Sequence, residues 1–157
     1  SDYVPVVPDR ALDTRPDGQV GYAGGKPAAG ATIELKVTGV GSAKVPDGAA
    51  AVVLNVTGTE ADSAGYVAVW PCGSPRPTAS NLNLQPGVTS PNLVIAKIGT
   101  GGKVCLFTQP SAHLIADING YMPAGSSYTP LVPERTSNPQ PLDDSLPNTP
   151  GSGVYEG

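Results

Sequence analysis

Short segments in which apolar and polar residues alternate fill most of residues 31–118, and this period of two is what most constrains the fold. The clearest segment, residues 31–38, places Ile33, Leu35 and Val37 on one face and polar side chains on the other. Successive side chains of a β-strand point to opposite faces, so the pattern predicts a strand with one buried face.

Further segments of this kind are separated by turns rich in glycine, proline and serine. In chain order the predicted strands are Tyr3–Val7, Ala31–Thr38, Ala50–Thr57, Gly65–Trp70, Ser80–Leu84, Asn92–Ile98, Lys103–Thr108 and Ala112–Ile118. Gly99–Gly102 has the composition of a hairpin turn. Many short strands without a helical pattern predict an all-β fold, a single antiparallel β-sandwich of seven to eight strands. A closed barrel is the alternative.

Composition divides the chain into a body, residues 1–122, and an extended acidic Pro-rich arm, residues 123–157. The arm contains seven prolines and few large apolar side chains. The chain carries a net charge of −4, and the part from Ala124 onward holds four acids and one base. We expect the arm to serve inter-subunit contacts rather than to build a core.

Residues 10–30 do not show strand alternation and contain five glycines. We interpret this segment as a long surface loop. The strand–loop–helix context of a phosphate-binding glycine motif is missing, so we expect no cofactor.

Several classes of partner are disfavoured by the charge and hydropathy pattern. No run of lysine and arginine suggests nucleic-acid binding. No apolar stretch approaches the roughly 20 residues needed to span a bilayer, so we expect no membrane insertion. Ser1 and Asp2 lead directly into the first strand, a start that fits either signal cleavage or removal of an initiator methionine.

The two cysteines, Cys72 and Cys105, occur in similar apolar strand segments. A metal site would need more ligands than His113, the single histidine, can add, and we expect no metal. A reactive thiol would need a basic neighbour. The favoured interpretation is a disulfide, which implies maturation outside a reducing cytosol; buried free thiols are the alternative.

An eight-residue string occurs twice, as Tyr-Val-Pro-Val-Val-Pro-Asp-Arg at Tyr3–Arg10 and as Tyr-Thr-Pro-Leu-Val-Pro-Glu-Arg at Tyr128–Arg135. Five positions are identical, and one of the three exchanges is acid for acid. We predict that the second string docks on a neighbouring copy as the first docks on its own body. The predicted contact residues are Tyr128, Pro130, Leu131, Val132, Pro133 and Arg135.

We predict no catalytic residues. The carboxylates of the body, Asp13, Asp17, Glu60, Asp62 and Asp117, form no recognisable glycosidase pair. His113 lies within a strand and lacks a nucleophile motif, so we interpret it as a structural or surface residue.

Three charged residues, Asp13, Arg15 and Asp117, are predicted to form a structural anchor. Asp117 interrupts an apolar strand and should be buried only if it is paired. The guanidinium of Arg15 can hold a carboxylate with two hydrogen bonds, so we expect it to anchor the glycine loop with Asp13 or Asp117 as partner.

Aromatic residues are few, with six tyrosines, one tryptophan and one phenylalanine. Trp70 precedes Cys72 by two positions, and we expect it to pack against the disulfide. Tyr22 lies in the glycine loop and is the candidate for a glycan contact.

The string Pro-Asp-Arg-Ala-Leu-Asp-Thr-Arg at Pro8–Arg15 resembles the P-x-R-L-L-D-T-R signature of a repeated β-rich module of secreted and cell-surface actinobacterial proteins. The similarity extends over residues 3–122 and includes residues 45–57, 65–73, 80–83, 92–94 and 113–121. In that family the modules tile, and Tyr128–Arg135 resembles a restart that departs at Thr136. The resemblance implies no enzymatic activity.

These observations favour a non-enzymatic structural protein. The expected setting is the virion surface of an actinobacterial phage, as a capsid decoration or tail protein, with copies of itself or other coat proteins as partners. One alternative is a secreted actinobacterial cell-wall or carbohydrate-binding module that contacts a host-surface glycan. A host extracellular filament subunit is another.

Overall fold

The computed structural model describes residues 3–126, which form two antiparallel four-stranded sheets packed face to face. The strands are β1 (Val4–Asp13), β2 (Thr32–Lys36), β3 (Ala51–Thr59), β4 (Gly65–Pro71), β5 (Leu82–Leu84), β6 (Ser90–Lys97), β7 (Lys103–Thr108) and β8 (His113–Met122). Sheet A has the order β1-β8-β3-β6, and sheet B has the order β2-β7-β4-β5. The predicted β-sandwich is confirmed, with all eight strands.

The predicted arm contacts at Tyr128, Pro130, Leu131, Val132, Pro133 and Arg135 lie outside the described residues. Within residues 3–126, no helix is both long and apolar enough to cross a membrane.

The core lies between the sheets and is built from alternate residues of each strand, as the period of two predicts. In β2, Ile33 and Leu35 are buried while Thr32, Glu34 and Lys36 are exposed. Sheet A contributes Leu12, Val52, Leu54, Val56, Val94, Leu114 and Ile118; sheet B contributes Leu35, Val67, Val69, Leu84, Val104 and Leu106. Burial of these side chains is the main stabilising contribution to the sandwich.

The predicted hairpin at Gly99–Gly102 is wrong, because β6 and β7 belong to different sheets. β6 pairs with β3, whereas β7 pairs with β2 and β4. Thr100–Gly102 forms a 3₁₀ turn, and Thr100 N donates to Cys72 O over 2.9 Å. A side chain at Gly99 would run into the Cys72 backbone, so this glycine is required by close approach rather than by a hairpin.

β1 extends further than the sequence predicts and includes residues 10–13, so the predicted surface loop over residues 10–30 is wrong at its start. Its pairing with β8 is irregular between Pro5 and Asp9 and again between Arg10 and Leu12. At the second irregularity β1 has one extra residue, Ala11, relative to β8. The extra residue changes which positions face the core, so a search for strict alternation does not recognise this part of the strand. Leu12 is fully buried and connects this half of β1 to the core.

Candidate functional site

The face of sheet A where β1 lies against β8 carries a chain of four charged side chains. Arg10 is directly opposite Asp117 in the ladder, and its Nε lies 2.6 Å from Asp117 Oδ1. Arg10 Nη1 also lies 3.2 Å from Asp13 Oδ2. The network therefore runs from Asp117 through Arg10 to Asp13, and it continues to Arg15.

Asp13 is the buried member of this network, with 4% of its surface exposed. Arg15 donates to both carboxylate oxygens, from Nε over 3.0 Å and from Nη2 over 2.9 Å. The backbone N–H of Arg15 donates as well, over 3.1 Å. Hydrogen bonding by Arg15, joined by the nearby charge of Arg10, lowers the pKa of Asp13 to about 2.

Of the two partners predicted for Arg15, the structure selects Asp13 and places Asp117 with Arg10. Arg10 was not predicted as part of the anchor. The sequence does hold a sign of its importance, because both copies of the repeated string end in an arginine, Arg10 and Arg135.

The glycine loop is held by other side chains than Arg15. Gln19 Nε2 donates to the carbonyl oxygens of Thr14 and Gly24, over 3.0 and 2.7 Å. The Tyr22 hydroxyl donates to Gly25 O over 2.7 Å. In residues 3–126 the guanidinium of Arg15 hydrogen-bonds to Asp13 and to no loop carbonyl. The expected direct anchoring of the loop by Arg15 is therefore corrected, because local amide and hydroxyl donors hold the loop backbone.

A buried hydroxyl joins the end of β1 to the start of β8. Leu114 N donates to Thr14 Oγ1 over 3.0 Å. The same oxygen shares a hydrogen bond with His113 Nδ1, also at 3.0 Å. His113 is 7% exposed, so it is not a surface residue, and its structural role stays a prediction.

The first string, Tyr3–Arg10, which we call the outer half of β1 although Tyr3 precedes the strand, contacts the body through three polar side chains. The Tyr3 hydroxyl donates to Asn119 O over 3.0 Å, and its ring lies against Gly120, where a Cβ would overlap it. At the other end, Asp9 Oδ2 accepts from Ala43 N over 3.2 Å, and Arg10 completes the set through Asp117.

The opposite face of the molecule carries the predicted disulfide, which is confirmed. Cys72, just after β4, is bonded to Cys105 in the neighbouring strand β7, with their Cα atoms 5.1 Å apart. Trp70 is 8% exposed and belongs with both cysteines to a small apolar cluster on the outside of sheet B. Its expected packing role is thereby confirmed. Arg76 lies 3.8 Å above the Phe107 ring and covers this cluster.

Tyr22, the predicted glycan contact, is half-buried and packs against the main core. The glycan contact stays a prediction.

The other carboxylates considered for chemistry do not join this ion network. Asp62 pairs with Lys26 over 2.7 Å. The part of the chain that the structure describes brings no three His, Cys, Asp or Glu side chains close enough to hold a metal ion. A cleft of about 320 Å³ separates the edges of β1 and β2, with Asp9, Arg10 and Glu34 in its wall. The site therefore consists of an edge strand, its polar attachments and an adjoining cleft.

No family model, curated protein sequence or solved structure matches this chain. The fold defines an antiparallel β-sandwich protein, and the function has to be argued from its own residues.

Proposed function

We propose that this chain is a non-enzymatic structural protein that assembles with copies of itself through its C-terminal arm. The supporting observation is that the arm repeats the string that forms the outer half of β1. In the body, the Tyr, acid and Arg of that string each make a side-chain contact. An arm that retains those three residue types has the chemistry to bind a β-sandwich of this kind.

Contacts made by the arm of one copy on the body of the next are heterologous, and such contacts produce rings, lattices or filaments. Addition or exchange of a strand at a sheet edge is a common way to make them. β1 is at such an edge.

The proposed setting is the surface of a virion that infects an actinobacterium. The disulfide between Cys72 and Cys105 supports an oxidising environment. The similarity to modules of secreted actinobacterial proteins supports the same host range. Capsid or tail genes next to this gene would support a virion protein, whereas cell-wall genes would support a host-surface protein.

Removal of residues 127–157 tests the assembly function and leaves every described residue in place. Sedimentation velocity should show concentration-dependent association of the full chain and a monomer for the shortened chain. Circular dichroism should show the same β-structure and cooperative melting for both. Association of the shortened chain, or a full chain that stays monomeric, would contradict the proposal.

The second candidate is a secreted cell-wall or carbohydrate-binding module. An extracellular filament subunit is a further alternative. Tyr22 favours the carbohydrate function, because part of its ring is exposed beside a loop of glycines. Tyr22→Ala should abolish capture on peptidoglycan or glycan resin, whereas Tyr22→Phe keeps the ring and should retain it. Equal capture of both variants and the native chain would exclude Tyr22 as the contact.

A further inference from the structure

The outer half of β1 is attached to the body less firmly than the inner half. Val7 is 84% exposed and Tyr3 is 39% exposed, whereas Leu12 and Asp13 are buried. The ladder with β8 is also interrupted between Pro5 and Asp9. Apart from the paired ends of this ladder, the attachment of this half comes from the contacts of Tyr3, Asp9 and Arg10, together with partial burial of Val6.

The body provides a complementary seat for each of these groups. Gly120 and Asn119 O receive the tyrosine, since a larger residue at Gly120 would overlap its ring. Ala43 N receives the acid, and Asp117 receives the arginine. We call these four residues the β1 seat.

The second string has a matching side chain for every part of this seat. Tyr128, Glu134 and Arg135 correspond to Tyr3, Asp9 and Arg10. Leu131 takes the place of Val6, which packs against the core, and it offers one more methylene for burial. The exchanges between the two strings thus keep the chemistry at each contact position.

We propose that the β1 seat is the receiving site for Tyr128–Arg135 of a neighbouring copy, which displaces Tyr3–Arg10. This inference rests on the proposed assembly function and assigns its receiving surface. Replacing one string by a nearly identical one exchanges like contacts for like, which is the reason that segment swapping is a low-cost route to assembly.

The exchange ends at the irregularity between Arg10 and Leu12. Beyond it, Leu12 fills the core and Thr14 accepts from Leu114 N, and neither residue has an equivalent in the arm, which continues Thr-Ser-Asn-Pro. The inner half of β1 therefore stays in place, and the body keeps its core during the exchange.

A charge-exchange experiment on the full-length chain tests this assignment. Arg135→Asp alone should weaken association by at least about tenfold, because it places a carboxylate of the arm against Asp117 while Arg10 keeps its own place in the seat. Combining Arg135→Asp with Asp117→Arg in one chain should restore association, since the altered arm then matches the altered seat. Asp47→Arg, at an exposed carboxylate in the turn before β3, is the matched control and should not restore association when it is combined with Arg135→Asp in one chain.

A second variant keeps the test decisive if Asp117→Arg does not fold. Tyr3→Ala removes the internal tyrosine that competes for the seat and leaves the arm unchanged, so it should strengthen association at least about tenfold. Gly25→Ala, at a glycine with open space around it, should leave association unchanged. If deletion of residues 127–157 abolishes association, but Tyr3→Ala does not change it and Asp117→Arg does not restore it to Arg135→Asp, the seat is wrong and the assembly function stands. If the deletion has no effect, both fail.

Discussion

Arg10 and Asp117 face each other across the β1–β8 ladder, 107 positions apart in the chain, with Arg10 Nε 2.6 Å from Asp117 Oδ1. The same guanidinium reaches Asp13, which Arg15 also binds. The hydrogen bond to Asp117 is the main reason that the pKa of Arg10 is raised. One ion network thus connects the outer half of β1, its inner half and β8.

The two arginines that bind Asp13 should show non-additive effects on stability. After Arg10→Ala or Arg15→Ala alone, the buried carboxylate of Asp13 still has one arginine as a partner. Each single variant should therefore lower the free energy of unfolding by only about 1 kcal/mol. The double variant leaves Asp13 without a cation and should cost more than the sum of the singles. Urea unfolding of the four proteins measures the coupling, and strictly additive losses would contradict the shared network.

Stability should fall in acid because the pKa of Asp13 is lowered to about 2 from its ordinary value of 3.8. A carboxyl whose pKa is depressed in the folded state stabilises fully above its unfolded pKa, and this contribution is lost as the pH falls from 3.8 towards 2. We expect a loss of about 1–2 kcal/mol, since solvent screens part of the interaction.

Asp13→Asn is the control for this pH dependence, because the amide does not titrate. Urea unfolding at pH 5 and at pH 2 should show a smaller loss in this variant than in the native chain. Equal losses in the two proteins would assign the acid sensitivity to other carboxyls.

The disulfide should contribute substantially to stability, because it closes a loop whose ends are 33 positions apart. Replacing both Cys72 and Cys105 by serine should lower the free energy of unfolding by about 3–4 kcal/mol on the chain-entropy account. Reduction of the disulfide should lower the melting temperature of the native chain about as much as the two serine substitutions do. The reductant should leave the melting temperature of the serine variant unchanged. A native chain that melts identically with and without reductant would refute this estimate.

The buried Thr14 hydroxyl should stabilise the fold because it accepts the hydrogen bond of the Leu114 backbone N–H. Thr14→Val keeps the shape but leaves Leu114 N without its acceptor, and an unsatisfied buried donor costs about 1–3 kcal/mol. Thr14→Ser keeps the hydroxyl and should lose less. Thermal unfolding should rank the native chain above the serine variant and the serine variant above the valine variant; a valine variant as stable as the native chain would contradict this role.

The sequence by itself determined the elements of this protein. Alternation of apolar and polar residues located the strands, and it identified the buried row of Ile33 and Leu35. The two cysteines in apolar segments indicated the disulfide. These features are encoded within a few residues, because side-chain direction in a strand repeats every two positions.

Only the tertiary structure decided which elements and which charges meet. The glycines after β6 lead to the other sheet rather than into a hairpin, because strand pairing depends on residues far away in the chain. The irregularity beside Ala11 hid residues 10–13 of β1 from the pattern. The register of the β1–β8 ladder sets Arg10 opposite Asp117, and Asp13 pairs with Arg15. A sequence shows which side chains can form an ion pair, but the register of the β1–β8 ladder decides which of them are close enough to do so.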